Sequence, residues 1–138
     1  MKKLYLMAIA IIFLITVGFL FFYCDINTLN KKFLSSYGIE ISPEPYLVEE
    51  IEIPQVFDEY YISYDTLQIE SGLNLSQFKG KKAVRYTYKI TNFPDKSICD
   101  IYANVICFRR KPVGGDINCP SLSGFILPLS YIKNQNKL

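Results

Sequence analysis

Leu4 to Tyr23 is a run of twenty residues with no charge, Pro, Asn or Gln. At ~1.5 Å rise per residue a helix of that length spans ~30 Å, the thickness of a bilayer's hydrocarbon core. A cleaved secretory signal has a shorter apolar region, roughly 7–15 residues, and a small-x-small cleavage site. Here the only small pair, Ala8 and Ala10, lies near the start, and bulky Phe22 and Tyr23 occupy the far end. Acylation at Cys24 would want a small residue before it, and Tyr23 is not one. The expectation is a retained signal-anchor over residues 1–24 that meets the lipid bilayer through residues 4–23. Lys2 and Lys3 favour a cytoplasmic N-terminus, with Lys31 and Lys32 blunting the asymmetry. The rest of the chain is then extracellular on a single-pass membrane protein.

The remainder divides into a stalk helix and connector (25–45), an extracytoplasmic domain (46–130) and a polar tail (131–138). In the stalk, Ile26, Leu29, Phe33, Leu34 and Tyr37 recur at helical spacing and Gly38 follows as a left-handed cap. Pro43 and Pro45 hold Ser42 and Glu44 extended. Tyr46 to Ile53 reads as a strand with poor alternation, and Pro54 is suited to open the next helix. Phe57, Tyr60, Tyr61, Tyr64 and Leu67, with Gln68, form one face of a helix over 57–71 closed by Gly72; such an aromatic stripe is expected to pack in the core.

Val84, Tyr86, Tyr88 and Ile90 alternate with Arg85, Thr87, Lys89 and Thr91, the period of a half-buried strand. Phe93-Pro94-Asp95-Lys96-Ser97 is a turn. In the strand that follows, Ile98 to Phe108, the odd positions Cys99, Ile101, Ala103, Val105 and Cys107 are apolar or small. With Phe93 opposite Ile98, even positions face odd ones and both apolar sets fall on one side. Arg109-Arg110-Lys111-Pro112 makes a second turn, and Val113 to Leu122 returns as a strand in which Gly114-Gly115 suggests a bulge or a close backbone approach. The expected fold is α+β: an N-terminal transmembrane helix, then an antiparallel meander of three to five strands with one or two helices packed on one face, the 57–71 helix among them.

The chemistry is sparse. His is absent, which removes the commonest general base, metal ligand and pH switch together. Asp116 behind Gly114-Gly115 suits turn or bulge capping, with ligand binding as the lesser alternative. No cofactor or metal is implied. Charge is split: Glu40, Glu44, Glu49, Glu50, Glu52, Asp58, Glu59, Asp65 and Glu70 lie between Lys32 and Lys79 with no base among them, and bases dominate from Lys79 onward. Packed together the two segments would cancel; exposed, they would offer a basic face to lipid headgroups or wall polymers and an acidic face to a partner. Nucleic acid is not an expected partner, because the bases come without a binding motif.

Several pieces together resemble the bacterial family called domain of unknown function 4830, membrane-anchored or secreted proteins of Firmicutes. They are Phe33-Leu34-Ser35-Ser36-Tyr37-Gly38, Ile53-Pro54, Phe57-Asp58-Glu59-x-Tyr61, Tyr64-Asp65-x-Leu67-Gln68, Gly72-Leu73-x-Leu75, Lys79-Gly80-Lys81, Arg85-Tyr86-Thr87-Tyr88, Asn92-Phe93-Pro94, Ala103-Asn104, Gly114-Gly115-Asp116 and Gly124-Phe125. The chain departs from the pattern at Asp65, where the family favours Asn, and at Ile126-Leu127-Pro128, where members often carry a His-containing segment. The resemblance implies a fold and a location but no activity. It also makes Gln68, Arg85 and Asn104 candidates for a shared buried polar network, with structural use ahead of ligand binding.

Of the cysteines, Cys24 falls at the membrane boundary. Small apolar neighbours make free core thiols the leading expectation for the rest, although a Cys99–Cys119 bridge is geometrically conceivable and Cys107 is out of register for one. Two function classes follow: a non-enzymatic binding or scaffold module acting on an unknown envelope protein or polymer, and a carboxylate-dependent hydrolase or transferase of envelope material. The second needs two acids roughly 5–9.5 Å apart in one cleft.

Overall fold

The computed structural model describes residues 1–22, 25–95, 99–135 and 137, the side chains of residues 18–22 excepted. Helix α1 spans Lys2–Phe22 in 21 residues. Its large side chains from Leu4 to Ile15 stand 52–76% exposed, so no described residue covers them. Over the residues described with their side chains, which in this helix end at Val17, no helix is long and apolar enough to cross a membrane. Tyr23 and Cys24, where the expected anchor ends, lie outside the described residues.

Five antiparallel strands follow in simple order, β1 (Leu47–Glu52), β2 (Lys82–Lys89), β3 (Tyr102–Phe108), β4 (Lys111–Asn118) and β5 (Ile126–Leu127), each paired with its neighbours in sequence. Val84 pairs with Cys107 and Tyr88 with Ala103. That is the offset that sets Phe93 opposite Ile98, although Ile98, with Lys96 and Ser97, is outside the described residues. Between β3 and β4 the turn is only Arg109-Arg110, shorter than expected, with Phe108 opposite Lys111 and Cys107 opposite Pro112. The register then shifts, so Ile106 faces Gly114 and Val113 is the extra residue of a bulge.

Two clusters close the two sides of the sheet. On one, Tyr88, Ile101, Ala103, Val105, Cys107 and Ile117 are buried with Leu34, Ile39, Leu129 and Ile132. Leu34 belongs to α2 (Ile26–Ser35) and Ile132 to α4 (Tyr131–Gln135). On the other, Ala83, Ile106 and Val113 are buried with Ile53 and Leu75, and Phe57 and Tyr64 pack against them. Tyr64 lies in α3 (Glu59–Glu70), whose first turn is capped by Asp58 accepting from the Tyr61 amide at 2.9 Å. Gly38 and Gly72 take φ of 75° and 76° just past the ends of α2 and α3, a conformation glycine reaches without strain.

Three expectations change. Residues 25–45 are not a stalk, because Leu34 and Ile39 are fully buried in the sheet's core. Residues 131–138 are not simply a polar tail, since Ile132 is buried there too. Helices also cover both faces of the sheet: α3, which starts at Glu59 rather than near Pro54, lies opposite the side on which Tyr88 and Val105 are buried. Alternation reveals which residues share a face, but not which helix covers it.

Candidate functional site

Beneath α3 a polar row crosses the central strands. The strand registers set Thr87 opposite Asn104 and Asn104 opposite Asp116. The Thr87 hydroxyl donates to Asn104 Oδ1 at 2.7 Å, and Asn104 Nδ2 donates to Asp116 Oδ1 at 3.0 Å. From α3 above, the Tyr64 hydroxyl donates to Asp116 Oδ2 at 2.6 Å. Asp116 is 3% exposed, and burial raises its pKa above the ordinary carboxylate value against the lowering pull of Tyr64, Asn104 and the Arg85 charge. Burial, together with the adjacent Asp116 charge, pushes the Tyr64 phenol well above its usual value, so it stays a proton donor.

Gln68 joins a different atom. Its Oε1 accepts from the Gly115 amide at 2.8 Å beside the bulge, pinning α3 to β4, while its Nε2 has no partner among the described residues. Arg85 leaves the row and forms a half-exposed ion pair with Glu49 on β1, Nη2 to Oε2 at 2.7 Å with Nε at 3.1 Å from the same oxygen. Neither Gly114 nor Gly115 has positive φ. Their need is space. A Cβ on Gly114 would sit 3.1 Å from Gln68 Oε1 and from Leu75 Cδ1, and one on Gly115 would overlap the Asn104 carbonyl oxygen.

The six candidate residues therefore separate into three local jobs, with Asp116 and Asn104 in one network, Gln68 with the two glycines at the helix–strand contact, and Arg85 at the edge. Tyr64, Thr87 and Glu49 are partners in these contacts that the sequence pattern did not single out. Thr87 follows from the β2–β3 offset already in hand, since that offset places it beside Asn104.

Above the row is a cleft of about 90 Å³ lined by Tyr60, Tyr61, Tyr64, Arg85, Asn104 and Asp116 among others. At ~30 Å³ per water that is room for about three waters, well short of the ~300 Å³ at which metabolite pockets begin. Asp116 is the single carboxylate among the described residues of its lining. Among the described residues no group of three His, Cys, Asp or Glu is placed to hold a metal. A larger hollow of about 570 Å³ lies at one end of the opposite face, floored by Val84, Tyr86 and Cys107 and bounded by Glu50, Lys82 and Arg109.

Cys99 and Cys119 are joined by a disulfide with Cα atoms 6.1 Å apart, where free thiols were the leading expectation. It staples the β2–β3 connection to the end of β4. Cys107 is free and buried, and burial pushes its thiol up to about 12, leaving it without thiolate character at neutral pH.

Compared with family models, with curated proteins and with solved structures, the chain matches none.

Proposed function

We propose that the chain is a single-pass membrane protein, anchored by its first helix with the N-terminus in the cytoplasm, whose extracytoplasmic domain is a non-enzymatic binding or scaffold module for an envelope protein or polymer. The observation that carries this reading is the bare surface of α1: ten large apolar side chains between Leu4 and Ile15 are more than half exposed. An apolar surface of that extent, continued by the uncharged sequence to Tyr23, is stable only against lipid or another apolar surface. The Cys99–Cys119 bridge supports an outward location, because disulfides persist in oxidising compartments. The resemblance to the domain of unknown function 4830 family agrees with the same location and adds no activity.

The acid–base alternative is weaker on geometry. Its mechanism needs a second carboxylate beside Asp116, and the lining of that cleft offers none. A saturated Tyr64–Asp116–Asn104–Thr87 chain suits a rigid domain better than a proton shuttle.

Alkaline carbonate extraction of membranes tests the anchor: the protein is expected to remain in the pellet, with residues 1–24 present on N-terminal sequencing. Ile12→Arg is expected to impair insertion by about 2.5–3.5 kcal/mol. Release into the supernatant, or a mature N-terminus near Asp25, would overturn the anchor. Crosslinking in intact cells from lysines of the domain tests the module.

A further inference from the structure

The β3–β4 turn is unusual for its residues. Arg109 and Arg110 have φ of 49° and 63°, the left-handed pair of a two-residue hairpin turn that ordinarily selects Asn-Gly. Two consecutive side-chain-bearing residues in that region are strained, and here both are cations. The strand pairing gathers more charge at the same end. Lys82 starts β2 beside the end of β3, Lys79 and Lys81 precede it, and Lys111 faces Phe108 across the turn. All six are exposed. Of the acids at this end, Glu50 and Glu52 on β1 line the hollow with Lys82 and Arg109. Asp58, which accepts from Tyr61, and Glu59 open α3 just after Phe57, over whose ring Lys79 Nζ sits at 4.6 Å.

Chain length bounds how far this end can lie from the end of α1. Asn30 of α2 meets Cys107, two residues before the turn, with its Oδ1 3.2 Å from the Cys107 thiol. The four steps from Phe22 to Ile26 reach at most ~14 Å, and the helix from Ile26 to Asn30 adds ~6 Å. Asn30 therefore lies within about 20 Å of the end of α1, and Cys107 on the floor of the large hollow within about 30 Å.

We propose that the Arg109-Arg110 turn with Lys79, Lys81, Lys82 and Lys111 docks on the anionic phospholipid headgroups of the membrane that holds α1, fixing the orientation of the domain. This rests on the anchor reading above. At its tip the turn carries two guanidiniums, a group that pairs well with phosphate. Each such charge near an anionic surface strengthens attachment about fivefold.

The test uses the full chain in vesicles of phosphatidylcholine alone or with about 30% phosphatidylglycerol, reading acetylation rates of individual lysines. Lys79, Lys81, Lys82 and Lys111 are expected to react about fivefold or more slowly in the anionic vesicles, recover at ~1 M salt, and leave Lys133 unchanged as the internal control. The double variant Arg109→Asn, Arg110→Gly relaxes the turn, so its melting midpoint should rise by about 4 °C or more while most of the protection is lost. Equal rates in the two vesicle types, in protein that resists carbonate extraction, would overturn the docking alone. Protection by soluble polyphosphate with none from vesicles would overturn it in favour of a polymer partner. Carbonate release would overturn anchor and docking together.

Discussion

One face of the central strands is closed by Tyr88, Ala103, Val105 and Ile117 against α2 and α4, and the other by Thr87, Asn104 and Asp116 beneath α3. Both are buried, by different physics. On the apolar face any side chain of the right volume lowers the free energy, so what matters there is packing. On the polar face each buried donor and acceptor must find its partner, so what matters is alignment. The bulge at Val113 makes the two compatible. Without the extra residue the offset of Phe108–Lys111 would carry through β4, setting Asn104 opposite Gly115 and turning Asp116 towards the apolar side. With it, Asp116 faces Asn104 and Ile117 faces Ala103.

The largest expected effect is on the apolar face. Leu34→Ala empties a fully buried site between α2 and the sheet and should cost about 2–5 kcal/mol by denaturant unfolding. A cost near zero would restore α2 to a stalk and leave that face without its cover. Next is the staple at the same face: replacing Cys99 and Cys119 together by Ser should cost about 3 kcal/mol, given the twenty-residue separation they close. If adding reductant to the wild type has no effect on unfolding, the bridge is absent.

How much of this is legible in the sequence follows from the same two faces. Tyr86, Tyr88, Ala103 and Val105 could be assigned to one side because period two and the turn length agree, and the observed register has the same offset. Thr87 and Arg85 read as solvent-facing by the same pattern, yet Thr87 is buried. Alternation marks a residue's face without saying whether a helix covers it, and the 57–71 pattern gives no side for α3. Gly114-Gly115 announced an irregularity, but the shift falls at Val113, and only the shift brings Asp116 to Asn104. The α4 segment has a single buried residue, Ile132, in five, too few to carry a period.

Gly115→Ala probes where the faces meet. Its new Cβ points into the Asn104 backbone and to within 3.0 Å of Leu129 Cδ1, so β3 and β4 must separate. A loss of about 1–3 kcal/mol is expected, through crowding and not through φ. A stable Gly115→Ala protein would show that the strands yield there and that the polar row tolerates misalignment.

The smallest effect is expected at Asp116→Asn, and it is the most specific to the polar face. The amide is isosteric, and the row can reverse: its nitrogen donates to Asn104 Oδ1, Asn104 Nδ2 turns to the Thr87 oxygen, and Tyr64 still donates to the remaining carbonyl. At neutral pH the cost should stay below about 1 kcal/mol, the scale of one neutral hydrogen bond. The pH dependence gives the sign. The folded pKa of Asp116 lies above the ordinary carboxylate value because of burial, so the folded state holds the proton more tightly than the unfolded chain. The stabilisation from this group is complete below the ordinary value of ~3.9 and is lost as pH rises through the raised one. Measured against Asp116→Asn, in which other titrating groups cancel, the wild type should hold its greatest advantage near pH 4 and its least at pH 7. A difference that stays flat across that range would mean that Asp116 titrates like an exposed carboxylate, and that α3 does not seal the polar face.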